Sequence, residues 1–375
     1  MFPFSKKVNT SITIVTNIPT PYRTPLFNSI GEKLRAKQVQ LKVVFGAEKI
    51  GFRNWNTSSE DFKFQHSFLG AKNIGSQNSE RTRFLYQGLI RIILREKPNV
   101  IIVPGFSVAT LKLWILNMLI GTKYVIWAGA ITLPKSPIKR ILAKKYIKNA
   151  AGYLAYSSLA KQILESLGAN NNIEIAINTV DIGYFISQQI EKIESPTKHL
   201  TYVGNLLPRK NVMAIIRALV LLKTKKINFV LDIVGTGSEQ SRLENFVKKN
   251  KLNDQVNFHG HLQIKQISSI IYKSDCFLFQ TDFDIWGLVL NEAMACEAPI
   301  IASKKAGSTL DLIKDGHNGF IIDFDDTALL ASTIIKLLTD PFLAKKMGSN
   351  ARKTVKSKAT IDISANSFIN VLNRI

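Results

Sequence analysis

Residues 280–296 read QTDFDIWGLVLNEAMAC, and a glycine in this stretch separates a short apolar run from a helical pattern. Two carboxylates lie eight residues apart: Asp284 in the loop before the predicted helix and Glu292 within its first turns. From these positions both can face one polyhydroxylated ligand. Carboxylates suit such a ligand because they accept paired hydrogen bonds from neighbouring sugar hydroxyls. A glutamate in a first turn can also simply complement the helix dipole, so the spacing by itself leaves both interpretations open.

The glycine turn in this stretch predicts an anion site as well. Gly287, Leu288 and Val289 place backbone N–H groups at the start of the helix, where unpaired donors and the helix dipole favour phosphate. Trp286, next to the turn, is assigned to the same site.

Short apolar runs alternate with longer helical patterns on both sides of this stretch, which is typical of βαβ units and a parallel sheet. The predicted strands of the first half lie at residues 12–16, 40–45, 100–103, 124–127, 152–155 and 174–177. Predicted helices there include residues 25–36, 79–96 and 108–119. After a polar break the strands resume at residues 199–203, 228–234, 256–259, 276–280, 300–302 and 319–322.

This alternation predicts an α/β protein of two Rossmann-like domains, with mostly parallel sheets facing each other across a cleft. The first domain covers residues 1–185, a linker covers 186–198, and the second domain covers 199–356. Residues 357–375 form a C-terminal helix that can pack back on the first domain. A ligand is expected between the domains, at the carboxyl ends of the strands.

Two further strand-to-helix turns carry chemistry. Gly204 opens a loop that ends in Arg209 and Lys210, and two adjacent cations at such a turn match a diphosphate, with the lysine expected to face solvent. Gly235 and Gly237 follow the next strand and resemble the start of a dinucleotide fingerprint. The third glycine of that fingerprint is missing, which makes a redox cofactor a weak interpretation. A tight turn that exposes its backbone to a ligand and a turn with no ligand are left as equal alternatives.

The charge is strongly positive, with 50 Lys and Arg against 27 Asp and Glu, and residues 1–185 hold +16 of the net +23. Its densest part is residues 135–148, a predicted basic amphipathic helix. Such a helix can dock on anionic lipid or can be a domain helix with a solvated basic face, and the sequence leaves both open. An excess of this size also fits a nucleic-acid footprint.

Several classes of protein are excluded. Cys276 and Cys296 cannot form a disulfide framework, and the histidines lack metal-ligand spacing, so no metal is predicted. Lys6 and Lys7 precede an apolar run too short for a signal peptide. The most apolar stretch, residues 111–120, is well below the roughly 20 residues that a spanning helix needs. We therefore expect a cytoplasmic protein that is soluble or peripheral on the inner face of the cytoplasmic membrane.

Residues 284–299 resemble the signature of retaining glycosyltransferases of family 4, the GT-B enzymes also called glycosyl transferases group 1, in which an acidic residue and a glutamate precede Ala-Met-Ala-Cys and a proline. Matches to the family span nearly the whole chain: NIPTPYR at 17–23, NTVD at 178–181 with Phe185, Gly204 with Arg209 and Lys210, IVGTG at 233–237, FHG at 258–260, DLIKDG at 311–316 and NGF at 318–320.

The resemblance implies transfer of a sugar from a nucleotide diphosphate sugar to an acceptor hydroxyl, with retained anomeric configuration, no metal and no further cofactor. It implies that Glu292 binds the nucleotide ribose and that Lys210 binds the diphosphate. Asp284 stands where the family usually has a glutamate on the sugar hydroxyls. Asn205 stands where an arginine commonly follows the glycine, and Arg209 can supply that charge. The implied catalytic residues are Arg209, Lys210, Asp284 and Glu292.

The remaining assignments follow the same resemblance, with residues 1–185 as the acceptor domain and 199–356 as the nucleotide-sugar domain. The donor site includes Gly204, Asn205, Gly235, Gly237, His259, Gly260, Trp286, Gly287, Leu288 and Val289. The acceptor side includes Pro19, Tyr22, Arg23 and Gly129, where Arg23 can hold an acceptor phosphate or form a structural salt bridge.

The function expected on this basis is synthesis of a cell-envelope polysaccharide or lipopolysaccharide. The expected partners are a nucleotide sugar, with a UDP-sugar favoured, a saccharide or polyprenyl-diphosphate-linked acceptor, and an anionic membrane surface. Two alternatives belong to other classes: a non-catalytic nucleotide-binding GT-B module and, less favoured, a nucleic-acid-binding protein.

Overall fold

The computed structural model describes residues 10–49, 58–70, 73–74, 83–188, 190, 195–225 and 227–375. The chain divides into two compact units: Met1–Thr179 with Ile361–Ile375, and Val180–Thr360. Lys6, Lys7, the start of the predicted helix at 79–96, and residues 189 and 191–194 of the predicted linker lie outside the described residues.

The described residues of the first unit form nine strands. They are β1 (Ser11–Thr16), β2 (Gln40–Phe45), β3 (Gln65–Phe68), β4 (Asn73–Ile74), β5 (Arg83–Phe84), β6 (Val100–Pro104), β7 (Lys123–Ala128), β8 (Gly152–Ala155) and β9 (Ile173–Ile175). Seven of them form a fully parallel sheet in the order β3-β2-β1-β6-β7-β8-β9, while β4 and β5 pair as an antiparallel ribbon.

Helices cover both faces of this sheet, as a parallel sheet requires. The helices before the second unit are α1 (Thr24–Arg35), α2 (Leu89–Glu96), α3 (Val108–Ile120), α4 (Pro137–Asn149) and α5 (Ser158–Ser166). Apolar side chains of α2 to α5 share one core with the sheet, and those of α1 share the other with the C-terminal helix. The strands are apolar on both sides because each side meets a helix layer.

The second unit is built on a six-stranded parallel sheet. Its strands are β10 (Lys198–Val203), β11 (Phe229–Val234), β12 (Val256–Gly260), β13 (Cys276–Phe279), β14 (Ile300–Ser303) and β15 (Phe320–Ile322). They are ordered β12-β11-β10-β13-β14-β15. The chain therefore builds outward from β10 in one direction and then crosses to β13 on its other side, which makes the β10–β13 boundary a topological switch point.

The helices from residue 180 onward are α6 (Ile182–Ser187), α7 (Val212–Thr224), α8 (Gln240–Lys249), α9 (Ile264–Lys273), α10 (Val289–Ala295), α11 (Gly307–Leu312), α12 (Thr327–Thr339), α13 (Pro341–Lys358) and α14 (Ile361–Asn373). Short 3₁₀ helices occupy Ser59–Asp61, Pro208–Lys210 and Asn253–Gln255. Across the described ranges no single helix is long and apolar enough to cross a membrane, and the one helix pair that meets the length and composition criteria jointly, Thr327–Thr339 with Pro341–Asn373, is bent by 98°.

The predicted α/β class with parallel sheets in both halves is confirmed. The helix predicted over 79–96 is wrong at its start, because Arg83–Phe84 is a strand and the helix begins at Leu89, after Gly88 with a φ of +82°. Strand β3 was not predicted, since its sequence, QHSF, lacks the β-branched residues that mark the other strands.

The C-terminal helix α14 belongs to the first unit. Phe368 is fully buried and meets the Trp127 ring edge-on with the ring centroids 5.0 Å apart, and Arg374 forms an ion pair with Glu174 in strand β9. The helix thereby seals the face of the sheet that α1 covers only in part.

Phe368→Ala should lower the free energy of unfolding by about 3–5 kcal/mol, because it leaves a cavity beneath Trp127. Urea unfolding followed by circular dichroism measures this. The matched control is Asn366→Ala on the exposed side of α14, where a change within about 0.5 kcal/mol is expected. Equal, small effects of both variants would show that α14 contributes little to the unit.

Candidate functional site

Three glycine-containing loops lie side by side at the carboxyl edge of the second sheet. A Cβ added to Gly235 would lie 2.0 Å from the carbonyl oxygen of Gly204, and one added to Gly237 would lie 2.2 Å from that of Leu206. The Gly235 N–H donates to the Gly260 carbonyl at 2.7 Å. Gly235 and Gly237 are therefore required for close packing of the loops after β10 and β11, whatever these loops bind.

The loop after β10 meets the loop after β13 at the switch point. Lys210 Nζ donates to Asp284 Oδ2 at 2.5 Å, and Arg209 Nη1 lies 3.7 Å from the same oxygen. Lys210 is buried, contrary to the expected solvent-facing position, because the short 3₁₀ helix Pro208–Lys210 turns its side chain toward Asp284. Two cations and one carboxylate leave this cluster with one net positive charge.

Asp284 is held by its backbone as well as by its side chain. Its N–H donates to the Lys305 carbonyl at 3.2 Å, and its own carbonyl accepts from the Gly307 N–H at 3.2 Å. Its Oδ1 accepts from the Trp286 N–H at 3.3 Å. The loops after β10, β13 and β14 are therefore linked through this one residue.

Glu292 has a different environment. It is half-buried on α10, and within the described part of the chain its carboxyl has no hydrogen bond or ion pair. Burial raises the pKa of Glu292 to about 7. A half-buried carboxyl without a protein donor is suited to accept hydrogen bonds from ligand hydroxyls.

The turn into α10 presents backbone donors. The N–H groups of Gly287, Leu288 and Val289 have no protein acceptor among the residues described, as expected for the first turn of a helix. Gly287 has a φ of +88°, and a Cβ there would lie 2.3 Å from the Phe279 ring, so both the backbone and the space require glycine.

Two side chains assigned to the donor site face other partners. Trp286 is only 2% exposed, and its ring N–H donates to Asn291 Oδ1 at 3.0 Å, so its side chain is part of the core. His259 Nε2 lies 2.7 Å from Asp232 Oδ1, and His199 Nδ1 lies 3.3 Å from the other oxygen. The structure thus offers only backbone atoms of Trp286, while exposed Asn205 sits beside Gly204 in the loop.

The structure adds residues that the sequence did not indicate. Tyr202 Oη donates to the Asn205 carbonyl at 3.3 Å, and its burial raises the pKa of that phenol. Lys305 Nζ lies between Asp282 at 3.3 Å and Asp325 at 3.1 Å. Lys305 follows the predicted strand at 300–302 and precedes α11, so the turn pattern that identified Lys210 could have found it.

Arg23, predicted on the acceptor side, follows β1 of the first unit. Its guanidinium donates to Thr16 Oγ1 at 2.8 Å and to Tyr156 Oη at 2.8 Å, and it lies 4.9 Å from the Trp127 ring centroid. In the described ranges Arg23 has no carboxylate partner, and its Nε has no hydrogen-bond acceptor. Arg23 therefore forms no structural salt bridge with these residues, and its Nε–H remains available as a donor. Pro19 and Tyr22 lie in the same loop, and Gly129 directly follows β7.

No group of three or more His, Cys, Asp or Glu side chains in the described part of the protein is placed to hold a metal ion.

A protein-family model matches the part of the chain that contains the Arg209, Lys210 and Asp284 cluster. Residues 185–354 match the model of the family described as Glycosyl transferases group 1. The matched range covers most of the second unit and contains Arg209, Lys210, Asp284 and Glu292.

Two curated relatives match about half of the chain at below 30% identity. The chain is 29% identical over 204 residues to an N-acetyl-alpha-D-glucosaminyl L-malate synthase of Bacillus anthracis, covering 53% of this chain and 52% of that protein. It is 24% identical over 221 residues to a capsular polysaccharide biosynthesis glycosyltransferase of Staphylococcus aureus, covering 55% and 54%. The chain thus spans about half the length of these two relatives.

The fold itself is shared along the whole chain. The crystal structure of the Anabaena protein HepE in complex with UDP superimposes with a TM-score of 0.77 at 17% identity, covering 98% of this chain and 100% of that one. Sucrose-phosphate synthase of Thermosynechococcus elongatus gives a TM-score of 0.71 at 17% identity, covering 97% and 98%. The two parallel-sheet α/β units therefore share the fold of these two proteins.

Glu292→Gln should change how stability depends on pH. A folded-state pKa of about 7 against an ordinary 4.5 means that the protonated form stabilises the fold below pH 4.5 and that this stability is lost as the pH rises through 7. The free energy of unfolding of the variant, relative to that of wild type, should therefore rise by at most about 3 kcal/mol between pH 4.5 and 8. Above pH 8 this difference should stay constant.

Chemical unfolding at stepped pH measures the difference between the two proteins. Glu244→Gln, on the exposed side of α8, is the matched control for removing one carboxylate. If both variants followed the same pH profile relative to wild type, the raised pKa of Glu292 would be ruled out.

Proposed function

We propose that this protein, most of whose second unit matches the glycosyl transferases group 1 model, moves a sugar from a nucleotide diphosphate sugar to an acceptor hydroxyl with retention of configuration. The observation that carries the proposal is the site at the switch point. There Arg209 and Lys210 lie beside Asp284, and the unpaired carboxyl of Glu292 belongs to the helix that follows the same loop. A UDP-sugar is the favoured donor, supported by the UDP-bound structural neighbour.

The two cations act on the leaving group. Breaking the bond between the anomeric carbon and the diphosphate leaves a positively charged, oxocarbenium-like sugar and adds negative charge to the diphosphate. Lys210 Nζ carries three hydrogens and donates one of them to Asp284, so it can donate another to a phosphate oxygen while the ion pair stays intact. The free N–H groups of Gly287 to Val289 can add donors to the same anion.

The two carboxylates position the donor. Asp284 is fixed by three hydrogen bonds besides its ion pair and can accept from hydroxyls of the transferred sugar. Glu292 can accept from both ribose hydroxyls of the nucleotide. Those hydrogen bonds favour the ionised carboxylate and offset the burial that raises its pKa.

The chemical step requires no nucleophile from the protein. The acceptor oxygen forms its bond to the anomeric carbon on the face that the diphosphate leaves. The acceptor's hydroxyl proton passes to an oxygen of the departing phosphate, which balances the exchange. The protein's part is to orient the two substrates and stabilise the leaving charge, and no metal or further cofactor is assigned.

Arg23 is assigned to an anionic group of the acceptor. A guanidinium held by two hydroxyls and an aromatic ring, with no carboxylate partner among the described residues, has the donors and charge to bind a phosphate. This fits a saccharide acceptor linked to a polyprenyl diphosphate. The similarity to a capsular polysaccharide glycosyltransferase supports a cell-envelope polysaccharide or lipopolysaccharide as product. Such an acceptor would place the protein on the cytoplasmic face of a membrane.

Calorimetric titration with UDP, GDP and ADP, each with and without EDTA, tests the donor site. We expect UDP to bind most tightly and EDTA to leave its affinity unchanged. Lys210→Ala should weaken UDP binding at least tenfold, because a hydrogen bond to a charged group is worth about 1.5–3 kcal/mol. Tight UDP binding without sugar transfer to any envelope acceptor would instead favour the non-catalytic module.

Because removing one partner of a buried ion pair also destabilises a protein, the single variant needs a companion. Lys210→Met combined with Asp284→Asn removes both charges and should keep the melting temperature near that of wild type while losing UDP affinity. Lys248→Ala on the exposed side of α8 is the control for a lysine away from the site. Unchanged UDP affinity in the folded double variant would remove the diphosphate assignment.

Pyrophosphate titration of the UDP-saturated protein tests Arg23 separately, because UDP occupies the donor cations. Wild type should bind pyrophosphate, and Arg23→Gln should lose that binding. Tyr156→Phe, which removes one hydroxyl that orients the guanidinium, should weaken it about tenfold. Arg140→Gln, an exposed arginine on α4, is the control. Equal binding by Arg23→Gln and wild type would contradict the assignment.

A further inference from the structure

Helix α3 is apolar on the side that it turns to solvent. Ala109, Leu113 and Leu116 pack into the core, while the opposite side carries Leu111, Ile115, Met118 and Leu119 at helical spacing. Met118 is 63% exposed, Leu119 72% and Ile120 59%. A helix that is apolar on nearly all sides is normally enclosed by protein or lipid, and no residue in the described part of the chain covers these exposed side chains.

Helix α4 continues this surface. It packs beside α3, with the Trp114 and Tyr146 rings 5.8 Å apart and Asn149 Nδ2 donating to Asn117 Oδ1 at 3.4 Å. Its first turns expose Ile138 (71%) and Ile141 (57%). We call the exposed residues of both helices the α3–α4 surface; it comprises Leu111, Ile115, Met118, Leu119, Ile120, Ile138, Ile141, Lys139, Arg140, Lys144, Lys145 and Lys148.

The charge around this surface has one sign. Residues 97–164 contain ten Lys or Arg and no Asp or Glu, and α4 alone exposes five of those cations. A purely solvated basic face would not need neighbouring exposed leucine, isoleucine and methionine. A patch for another apolar protein surface would not need so many unpaired cations. Apolar side chains beside cations are instead the composition of segments that lie in the interface of an anionic membrane.

We propose that the α3–α4 surface binds the surface of an anionic lipid bilayer, with the apolar side chains of α3 and the first turns of α4 entering the headgroup region. The lysines and Arg140 pair with lipid phosphates, each contributing about fivefold to partitioning. The apolar side chains add attraction that salt does not screen. The proposal deepens the proposed function by naming how the protein reaches a lipid-linked acceptor, but the binding itself requires neither donor nor acceptor.

Sedimentation with phosphatidylcholine vesicles, with and without phosphatidylglycerol, tests the proposal on the full chain without substrates. Wild type should bind only the anionic vesicles and should keep part of that binding in high salt. Lys144→Gln, Lys145→Gln and Lys148→Gln together should weaken binding on the order of 100-fold. Met118→Gln, Leu119→Gln and Ile120→Gln together should weaken it at least about tenfold and abolish the salt-resistant part.

The matched controls lie in the second unit. Lys345→Gln, Lys346→Gln and Lys353→Gln together remove three exposed cations from α13, and Phe342→Gln removes an exposed apolar side chain from the same helix. Both controls should bind like wild type. UDP affinity and melting temperature should be unchanged in all four proteins, so a failure of membrane binding and a failure of the donor site are read out separately.

A second measurement guards against a folding defect in the multiple variants. Leu119→Trp should show fluorescence that shifts to the blue on anionic vesicles and is quenched by brominated lipid, whereas Leu329→Trp on α12 should show neither. Equal vesicle binding by wild type and both surface variants would overturn the proposal. So would a wild-type dimer by light scattering that the apolar variant converts to a monomer without loss of vesicle binding, since the surface would then face a second copy of the chain.

Discussion

The ion pair between Lys210 and Asp284 joins the two loops on which the candidate site depends. It forms because the second sheet grows outward from β10 in both directions, so the loops after β10 and β13 emerge side by side at the same edge. The adjacent loop after β14 is attached to the same residue through the backbone N–H and carbonyl of Asp284. One residue therefore links three loops, through its side chain and its backbone.

Burying this pair costs desolvation of both charges, and an apolar pair of similar size could be equally stable at such a position. The structure offsets that cost with a 2.5 Å contact and a further hydrogen bond from the Trp286 N–H to the carboxylate. What an apolar pair could not supply is a cation with spare hydrogens beside a carboxylate with spare lone pairs. The site is for this reason suited to a ligand that combines a diphosphate with hydroxyls.

The first unit uses the same topology with different chemistry. Its chain also grows outward from β1 in both directions, and Arg23 lies in the loop that follows β1. Here the cation has no acid to neutralise it among the described residues, and the nearest groups are hydroxyls and aromatic rings. Helices α3 and α4 of this unit contain no Asp or Glu and carry part of its excess positive charge.

Apart from β3, the β4–β5 ribbon and the start of α2, the sequence alone was sufficient for the order of strands and helices and for the two parallel sheets. It was also sufficient for the turns that carry Lys210 and Asp284 and for the helix that carries Glu292. These features follow from local periodicity and from glycine and charge at turns, which are readable from neighbours along the chain. Only the tertiary structure decided that Trp286 is a core residue, that His259 pairs with Asp232, that Lys210 is buried, and that α3 leaves its apolar side exposed. Each of these depends on which distant segment packs against the residue, and no spacing within a segment encodes that partner.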